Sequence, residues 1–194
     1  GRFTEVGFAT GVAIVDDGKV LSSMGADFRD IDNDGRPDLL VTALANETFP
    51  LFRNLGNGVF QDLTYRSKIG SASMAQSGWG VGVYDFDNDG FKDIFTANGD
   101  VQDNTELFSS RASRQRNQLF RNLGNGTFES TLFGAPAQHR GVAFGDLDGD
   151  GRVDAVVSRL GEGPVVLQNK MGEGRHWLGL QLRGTRSNRD AIGA

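Results

Sequence analysis

Asp30-Ile31-Asp32-Asn33-Asp34-Gly35-Arg36-Pro37-Asp38 decides how this chain is read, because the pattern occurs three times. It returns as Asp85-Phe86-Asp87-Asn88-Asp89-Gly90-Phe91-Lys92-Asp93 and as Asp146-Leu147-Asp148-Gly149-Asp150-Gly151-Arg152-Val153-Asp154. Each copy is D-x-D-x-D-G-x-x-D. Carboxylates this close repel one another, and a folded loop that gathers them calls for a compensating cation. Oxygen ligands with no His or Cys point to a hard ion, Ca²⁺ ahead of Mg²⁺. The side chains of Asp30, Asp32 and Asp34 are the candidate ligands of the first loop. Asp85, Asp87 and Asp89 serve the second, and Asp146, Asp148 and Asp150 the third. The seventh residue (Arg36, Phe91, Arg152) offers its backbone carbonyl, and the ninth (Asp38, Asp93, Asp154) closes the shell. Glycine at the sixth position permits the sharp turn around the ion. About three Ca²⁺ per chain are expected on this count of loops.

An EF-hand would need a bidentate Glu at the twelfth position. Val41, Thr96 and Val157 stand there, so that reading is excluded. Each loop is followed by a strand-like run: Leu39-Leu40-Val41-Thr42, Ile94-Phe95-Thr96 and Ala155-Val156-Val157-Ser158. Alternating segments precede it, as in Gly80-Val81-Gly82-Val83-Tyr84 and Gly141-Val142-Ala143-Phe144-Gly145. The loop therefore joins two strands as a cation-clamped hairpin. Because each loop belongs to a different unit, the three sites are expected to act independently.

Glycine makes up 28 of 194 residues, about twice the usual share, and reads as turns in a many-stranded protein. The formal charge is −5, but the loop aspartates dominate it, and three bound Ca²⁺ would leave about +1. The acidity is thus mostly ligand. Without cysteine there is neither a disulfide framework nor a thiol site. No apolar run approaches the ~20 residues of a membrane-spanning helix.

A second repeat follows the first. Leu51-Phe52-Arg53-Asn54-Leu55-Gly56-Asn57-Gly58-Val59-Phe60 returns as Leu119-Phe120-Arg121-Asn122-Leu123-Gly124-Asn125-Gly126-Thr127-Phe128. A worn copy runs from Val166 to Gly174. Gly-Asn-Gly between apolar runs is a hairpin turn. Each unit then holds two hairpins, or four strands, and the first aspartates lie 55 and 61 residues apart. Four antiparallel strands repeated at such a period describe the blade of a β-propeller. Gly1-Arg2-Phe3-Thr4-Glu5-Val6 resembles the end of such a unit. Val12–Val15 and Val20-Leu21 around Asp16-Asp17-Gly18-Lys19 form a hairpin signal, too short for a fourth ion. The segment from Asp100 to Asn117 is a polar insertion, expected as a surface loop, whose Arg111, Arg114 and Arg116 either are solvated or grip an anion. Trp79 is expected between blades or in the core. His176-Trp177-Leu178-Gly179-Leu180-Gln181-Leu182 alternates as a strand.

The loops and the order of the pieces resemble the FG-GAP (VCBS-type) repeat family, whose repeats form the blades of integrin α-subunit propellers. Phe144-Gly145 before Asp146 matches its signature, whereas Phe28-Arg29 and Val83-Tyr84 depart from it. Met24-Gly25, Trp79-Gly80 and Gln115–Asn122 are similar to relatives of cartilage acidic protein, where such repeats lead into an ASPIC/UnbV domain. His176-Trp177-Leu178 and Ser187-Asn188-Arg189-Asp190-Ala191-Ile192-Gly193-Ala194 resemble the opening of that domain. Asn98-Gly99-Asp100 departs from relatives that carry His after Asn-Gly. The resemblance implies an all-β chain: a propeller of four-stranded FG-GAP blades, about three of them present as part of a larger ring. On this reading residues 1–23 end a preceding blade and add a hairpin. Residues 24–64 are repeat 1, and residues 65–130 are repeat 2 with insertion 100–117. Residues 131–175 are repeat 3, and 176–194 begin an ASPIC/UnbV domain. It also implies further blades before Gly1, more of the last domain after Ala194, and a secreted, periplasmic or cell-surface location.

Three classes of function remain: a calcium-stabilised scaffold for adhesion or recognition of a protein or glycan, a lectin-like propeller, and an enzyme. A lectin would use exposed aromatics, for which Trp79, Tyr65 and Tyr84 are the candidates. An enzyme finds little to work with. His139 and His176 stand in no nucleophile or zinc spacing. Metal-loop spacing explains the aspartates better than a glycosidase pair does. Nothing basic and clustered points to nucleic acid.

Overall fold

The computed structural model describes residues 1–180, 182–185, 188 and 189. Its strands fall into three antiparallel sheets. The first runs β1 (Gly25–Arg29), β2 (Asp38–Thr42), β3 (Leu51–Gly56) and β4 (Val59–Asp62). The second runs β5 (Gly78–Tyr84), β6 (Asp93–Asn98), β7 (Gln115–Asn122) and β8 (Phe128–Ala137). The third holds β9 (His139–Gly145), β10 (Asp154–Arg159) and β11 (Glu162–Leu167). Two short α-helices, α1 (Gly7–Thr10) and α2 (Ile69–Ser73), and a 3-10 turn at Thr105–Leu107 lie outside the sheets. In every sheet chain order is spatial order, a meander, and β1, β5 and β9 lie side by side across the sheet boundaries. The sheets are blade-like units; among the described residues they close no ring.

Each D-x-D-x-D-G-x-x-D loop joins the first two strands of its sheet. Arg29 pairs with Asp38, Tyr84 with Asp93 and Gly145 with Asp154, so the last ladder rung fixes the ninth residue at the loop base. Two residues per loop are left-handed. The sixth is Gly35 (φ 87°), Gly90 (93°) or Gly151 (79°), and the fourth is Asn33 (61°), Asn88 (54°) or Gly149 (75°). Asn and Gly tolerate that region best.

Apolar packing holds neighbouring sheets together. Ile31, Leu40 and Leu51 of the first unit meet Val83, Ile94, Phe120 and Phe128 of the second, and Phe49 and Ile69 fill the space between. Leu40, Phe49, Ile69, Val83 and Ile94 are fully buried, each contributing about 1.5–3 kcal/mol relative to exposure. The second core gathers Phe86, Phe95 and Ala97 with Ala155 and Val157. Tyr84, Phe86, Phe95 and Phe144 stack there with ring centroids 5.1–6.2 Å apart. β6 is buried at every position, giving Ile94 to one core and Phe95 and Ala97 to the other. β5 also divides by face: Val81 and Val83 enter the first core, while a Cβ at Gly82 would strike the ring of Phe144. Some of the glycine read as turn residues thus serves close approach between sheets.

The structure departs from the sequence reading in four places. Val12–Leu21 forms no hairpin. It holds one turn, with Gly18 N–H donating to the Val15 carbonyl at 2.8 Å, and only Val15 is buried, so no neighbouring strand draws the rest into a sheet. Among the described residues the third unit has three strands rather than four, and the chain after β11 turns at 171–174 instead of pairing back. His176–Leu180 takes no regular secondary structure, and Trp177 lies against Gly151. Apart from residues 188 and 189, the stretch 187–194 expected to open an ASPIC/UnbV domain lies outside the described residues. Finally, Gln115–Asn117 of the insertion belongs to β7, and Asp100, Thr105 and Ser113 are buried rather than solvated.

Candidate metal centres

Three carboxylates converge in each loop, from the first, third and ninth residues. They are Asp30, Asp32 and Asp38; Asp85, Asp87 and Asp93; Asp146, Asp148 and Asp154, with one oxygen from each within 4.8 Å of the others. Local backbone explains the convergence. The first aspartate accepts the N–H groups of the fifth and sixth residues. Asp34 and Gly35 each donate to Asp30 at 3.0 Å, Asp89 and Gly90 to Asp85 at 2.9 and 2.7 Å, and Asp150 and Gly151 to Asp146 at 3.1 and 2.8 Å. The left-handed residues turn these N–H groups inward.

The ninth aspartate is held on both oxygens. Oδ2 accepts the N–H of the second loop residue: Ile31 for Asp38 (3.0 Å), Phe86 for Asp93 (3.2 Å) and Leu147 for Asp154 (2.9 Å). Oδ1 accepts the N–H of an asparagine in the Leu-Phe-Arg-Asn repeat. Asn54 and Asn122 donate at 2.8 Å and Asn169 at 2.7 Å. Asp38, Asp93 and Asp154 are buried, with 2% or less exposure. Burial pushes Asp93 up to about 6 despite the Asn122 and Phe86 N–H groups, and it raises Asp38 and Asp85.

The fifth aspartates stand outside the triads. Asp34, Asp89 and Asp150 accept the N–H of Arg36, Phe91 and Arg152 at 3.0, 2.9 and 3.0 Å. Arg36 and Arg152 also pair with Asp34 and Asp150 through their guanidinium groups. Desolvation opposes ionisation of Asp34 and Asp150, but those N–H groups and charges win and hold both below the usual carboxylate range.

The arginine of the second repeat also reaches the loops. Arg53 lies 2.7 Å from Asp32 and 3.3 Å from Asp34, and Arg121 lies 3.0 Å from Asp87 and 3.7 Å from Asp89. Gln168 takes that place beside Asp148. Sequence reasoning missed these arginines and asparagines as parts of the site, having read Leu-Phe-Arg-Asn only as a hairpin. The signal was present: two polar residues recur at the same place beside apolar strand positions.

A hard divalent cation suits this donor set. All the converging atoms are carboxylate oxygens. Asp87 Oδ1 is buried and accepts no hydrogen bond, with Arg175 Nη1 3.7 Å from it, and Asp93 meets no cationic side chain among the described residues. Buried carboxylates without a cationic partner are costly. A divalent ion held by the triad would supply the missing charge.

Residues 30–96 and 103–157 match the FG-GAP-like repeat family. A repeated β-sheet unit with acidic hairpin loops is the class these sheets define, and the chain belongs to that family. No curated protein matches the chain.

The other candidates are placed as follows. Trp79 donates from Nε1 to the Gly99 carbonyl (2.7 Å), and the Arg140 guanidinium covers its ring at 4.2 Å. Tyr84 packs on Phe86 and Phe144 beneath Arg29, whereas Tyr65 is half exposed. Arg114 pairs with Glu162 at 2.7 Å and Arg111 lies 3.6 Å from Asp100, while Arg116 is exposed. His139 is buried with Nδ1 2.9 Å from the Asn98 carbonyl, and His176 is exposed. No nucleophile adjoins either histidine among the hydrogen bonds described. Among the described residues no helix is long and apolar enough to cross a membrane.

Proposed function

We propose that the chain is a calcium-binding, extracytoplasmic β-propeller segment that serves as a scaffold for adhesion or recognition. One observation carries the reading: an all-oxygen triad with a buried ninth aspartate recurs on the same hairpin of all three sheets. Asp30, Asp32 and Asp38 hold the first ion, Asp85, Asp87 and Asp93 the second, and Asp146, Asp148 and Asp154 the third. Asp34, Asp89 and Asp150 and the carbonyls of Arg36, Phe91 and Arg152 complete the shells. The bound ion neutralises carboxylates that otherwise repel, and so stiffens the hairpin that carries them.

Propellers close with four to eight blades, so three sheets form an arc that further chain or another copy completes. Calcium sites of extracellular modules are filled at millimolar levels, which supports an exported location. The partner is a protein or glycan surface. Of the aromatics suited to stacking a sugar, Trp79 and Tyr84 are engaged within the fold, so the scaffold reading takes precedence over the lectin. Calcium analysis and calorimetry after dialysis test it. Close to three ions per chain is the expected result, and no bound calcium, or preference for Zn²⁺, overturns it.

A further inference from the structure

We infer that the three cation sites are coupled through asparagine side chains that cross from one sheet to the next, so that calcium bound in one loop raises the affinity of its neighbour. This rests on the calcium reading above and replaces the expectation of independent sites. The connection is a continuous line of hydrogen bonds through all three buried ninth aspartates. Asp154 accepts the N–H of Asn169, and the Asn169 side chain donates to the Phe86 carbonyl of the second loop at 2.7 Å. The N–H of Phe86 donates to Asp93. Asp93 in turn accepts the N–H of Asn122, whose side chain donates to the Ile31 carbonyl of the first loop at 3.3 Å. The N–H of Ile31 donates to Asp38. A single residue at each step links one site's carboxylate to the neighbouring site's backbone.

The crossing points sit inside the ligand sets. Ile31 lies between Asp30 and Asp32, and Phe86 lies between Asp85 and Asp87, so moving either peptide moves two ligands of its triad. The asparagines are themselves fixed. Asn122 Oδ1 accepts the N–H of Gly124 at 3.0 Å, and Asn169 Oδ1 accepts that of Met171 at 2.8 Å. Asn122 also donates within its own sheet, to the Lys92 carbonyl at 3.0 Å, as Asn54 in the same place of the first unit does to the Pro37 carbonyl at 2.9 Å.

A second, separate tie runs the opposite way. The fourth loop residue of one sheet donates to the sixth of the next: Asn33 to the Gly90 carbonyl at 2.8 Å, and Asn88 to the Gly151 carbonyl at 3.3 Å. Lys92 donates back to Asn33 at 3.1 Å. Both interfaces are therefore tied twice, and each tie ends on a peptide of the neighbouring metal loop. An ion that orders one loop presets the peptides of the next, whose own ion then has less ordering to offset. The coupling is reciprocal. Asn122 and Asn169 are positioning residues in this scheme; neither supplies a ligand atom.

Calorimetric calcium titrations of the whole chain test it as a mutant cycle. The middle site is emptied with Asp87→Asn, and both first-interface ties are cut together with Asn122→Ala and Asn33→Gly, glycine keeping the left-handed backbone of that loop position. Asn33→Gly alone, at an exposed position that spares the core, lowers the coupling. With the ties intact, emptying the middle site weakens calcium binding at the outer sites by about five-fold or more, the lower range of measured couplings. With the first-interface ties cut, the first site no longer responds to the middle one. Asn169→Ala combined with Asn88→Gly isolates the third site in the same way. Three ions bound with outer affinities unchanged by Asp87→Asn overturn the coupling and leave the calcium reading standing. A wild-type chain that binds no calcium overturns both.

Discussion

The two interfaces between sheets use the same repeated parts and pack differently. Between the first and second sheets the chain spends residues 63–77 on a connection that carries α2, and Ile69 from that helix is fully buried beside Phe49 and Phe128. Between the second and third sheets only Gln138 separates β8 from β9. Among the described residues no helix enters there, Ala155 stands where the second sheet has Ile94, and the third sheet has no strand that would bring a counterpart of Phe128. A cavity of about 300 Å³ remains, lined by Phe86, Phe95, Leu119, Phe133, Leu167 and Met171 among others. The repeats therefore build the sheets and their metal loops, while the irregular connections decide how well neighbouring sheets fill the space between them. Asparagine ties and acidic loops recur at both interfaces, but apolar filling does not.

The largest expected effect acts on what the interfaces share. At calcium a hundred times above Kd each site adds about 2.7 kcal/mol when the unfolded chain does not bind. Three sites then add about 8 kcal/mol, comparable with the whole stability of many domains. Thermal melts in calcium and in EDTA should differ by tens of degrees, given the roughly 2–4 °C per kcal/mol expected at this chain length. Coincident melts would remove calcium from the account of stability.

Next comes the difference between the interfaces. Ile69→Ala opens a filled core and should cost about 2–5 kcal/mol. Ala155→Val adds atoms beside an existing cavity and should be neutral or stabilise by up to about 2 kcal/mol. Urea denaturation at saturating calcium measures both. Equal losses from the two changes would mean that the second interface is as tightly filled as the first.

Much of the fold is legible in the sequence because its signals are local. The acidic loop, the alternation on either side and the Gly-Asn-Gly turns each specify their own hairpin, and β1–β8, β9 and β10 lie where those signals put strands. The failures occur where a segment depends on a distant partner. Val12–Leu21 and His176–Leu180 alternate well enough, but among the described residues no neighbouring strand accepts them. The site was read in part. The spacing picks out the acidic loops, and the structure selects the first, third and ninth aspartates as the converging set. The fifth is drawn off by N–H groups and arginines. Asn54 and Asn122 approach the loops from β3 and β7, and Asn169 from just beyond β11, 15 to 29 residues away, a distance no loop motif encodes.

The smallest effect belongs to His139, at the β8–β9 junction beside the tightly connected second interface. Its ring is 2% exposed and donates from Nδ1 to the Asn98 carbonyl at 2.9 Å. Burial lowers its pKa, and the nearby Arg159 guanidinium adds to the shift. The carbonyls of Asn98 and Gln115 and the carboxylate of Glu162 pull the other way without prevailing. The folded protein thus binds this proton less readily than the unfolded chain, whose imidazole titrates near 6.5. The sign follows from linkage: where the unfolded state takes up more protons, stability rises with pH. His139 therefore costs nothing above about pH 7.5, and destabilises increasingly as pH falls through 6.5 toward its lower folded value. His139→Gln removes the titration. Comparing the two proteins at saturating calcium cancels the carboxylates they share. The stability advantage of the wild type over the variant should shrink between about pH 7.5 and pH 5.5. An advantage that stays constant or grows on acidification would show that the histidine accepts its proton within the fold, and that the loop around Asn98 and Gln115 opens to admit it.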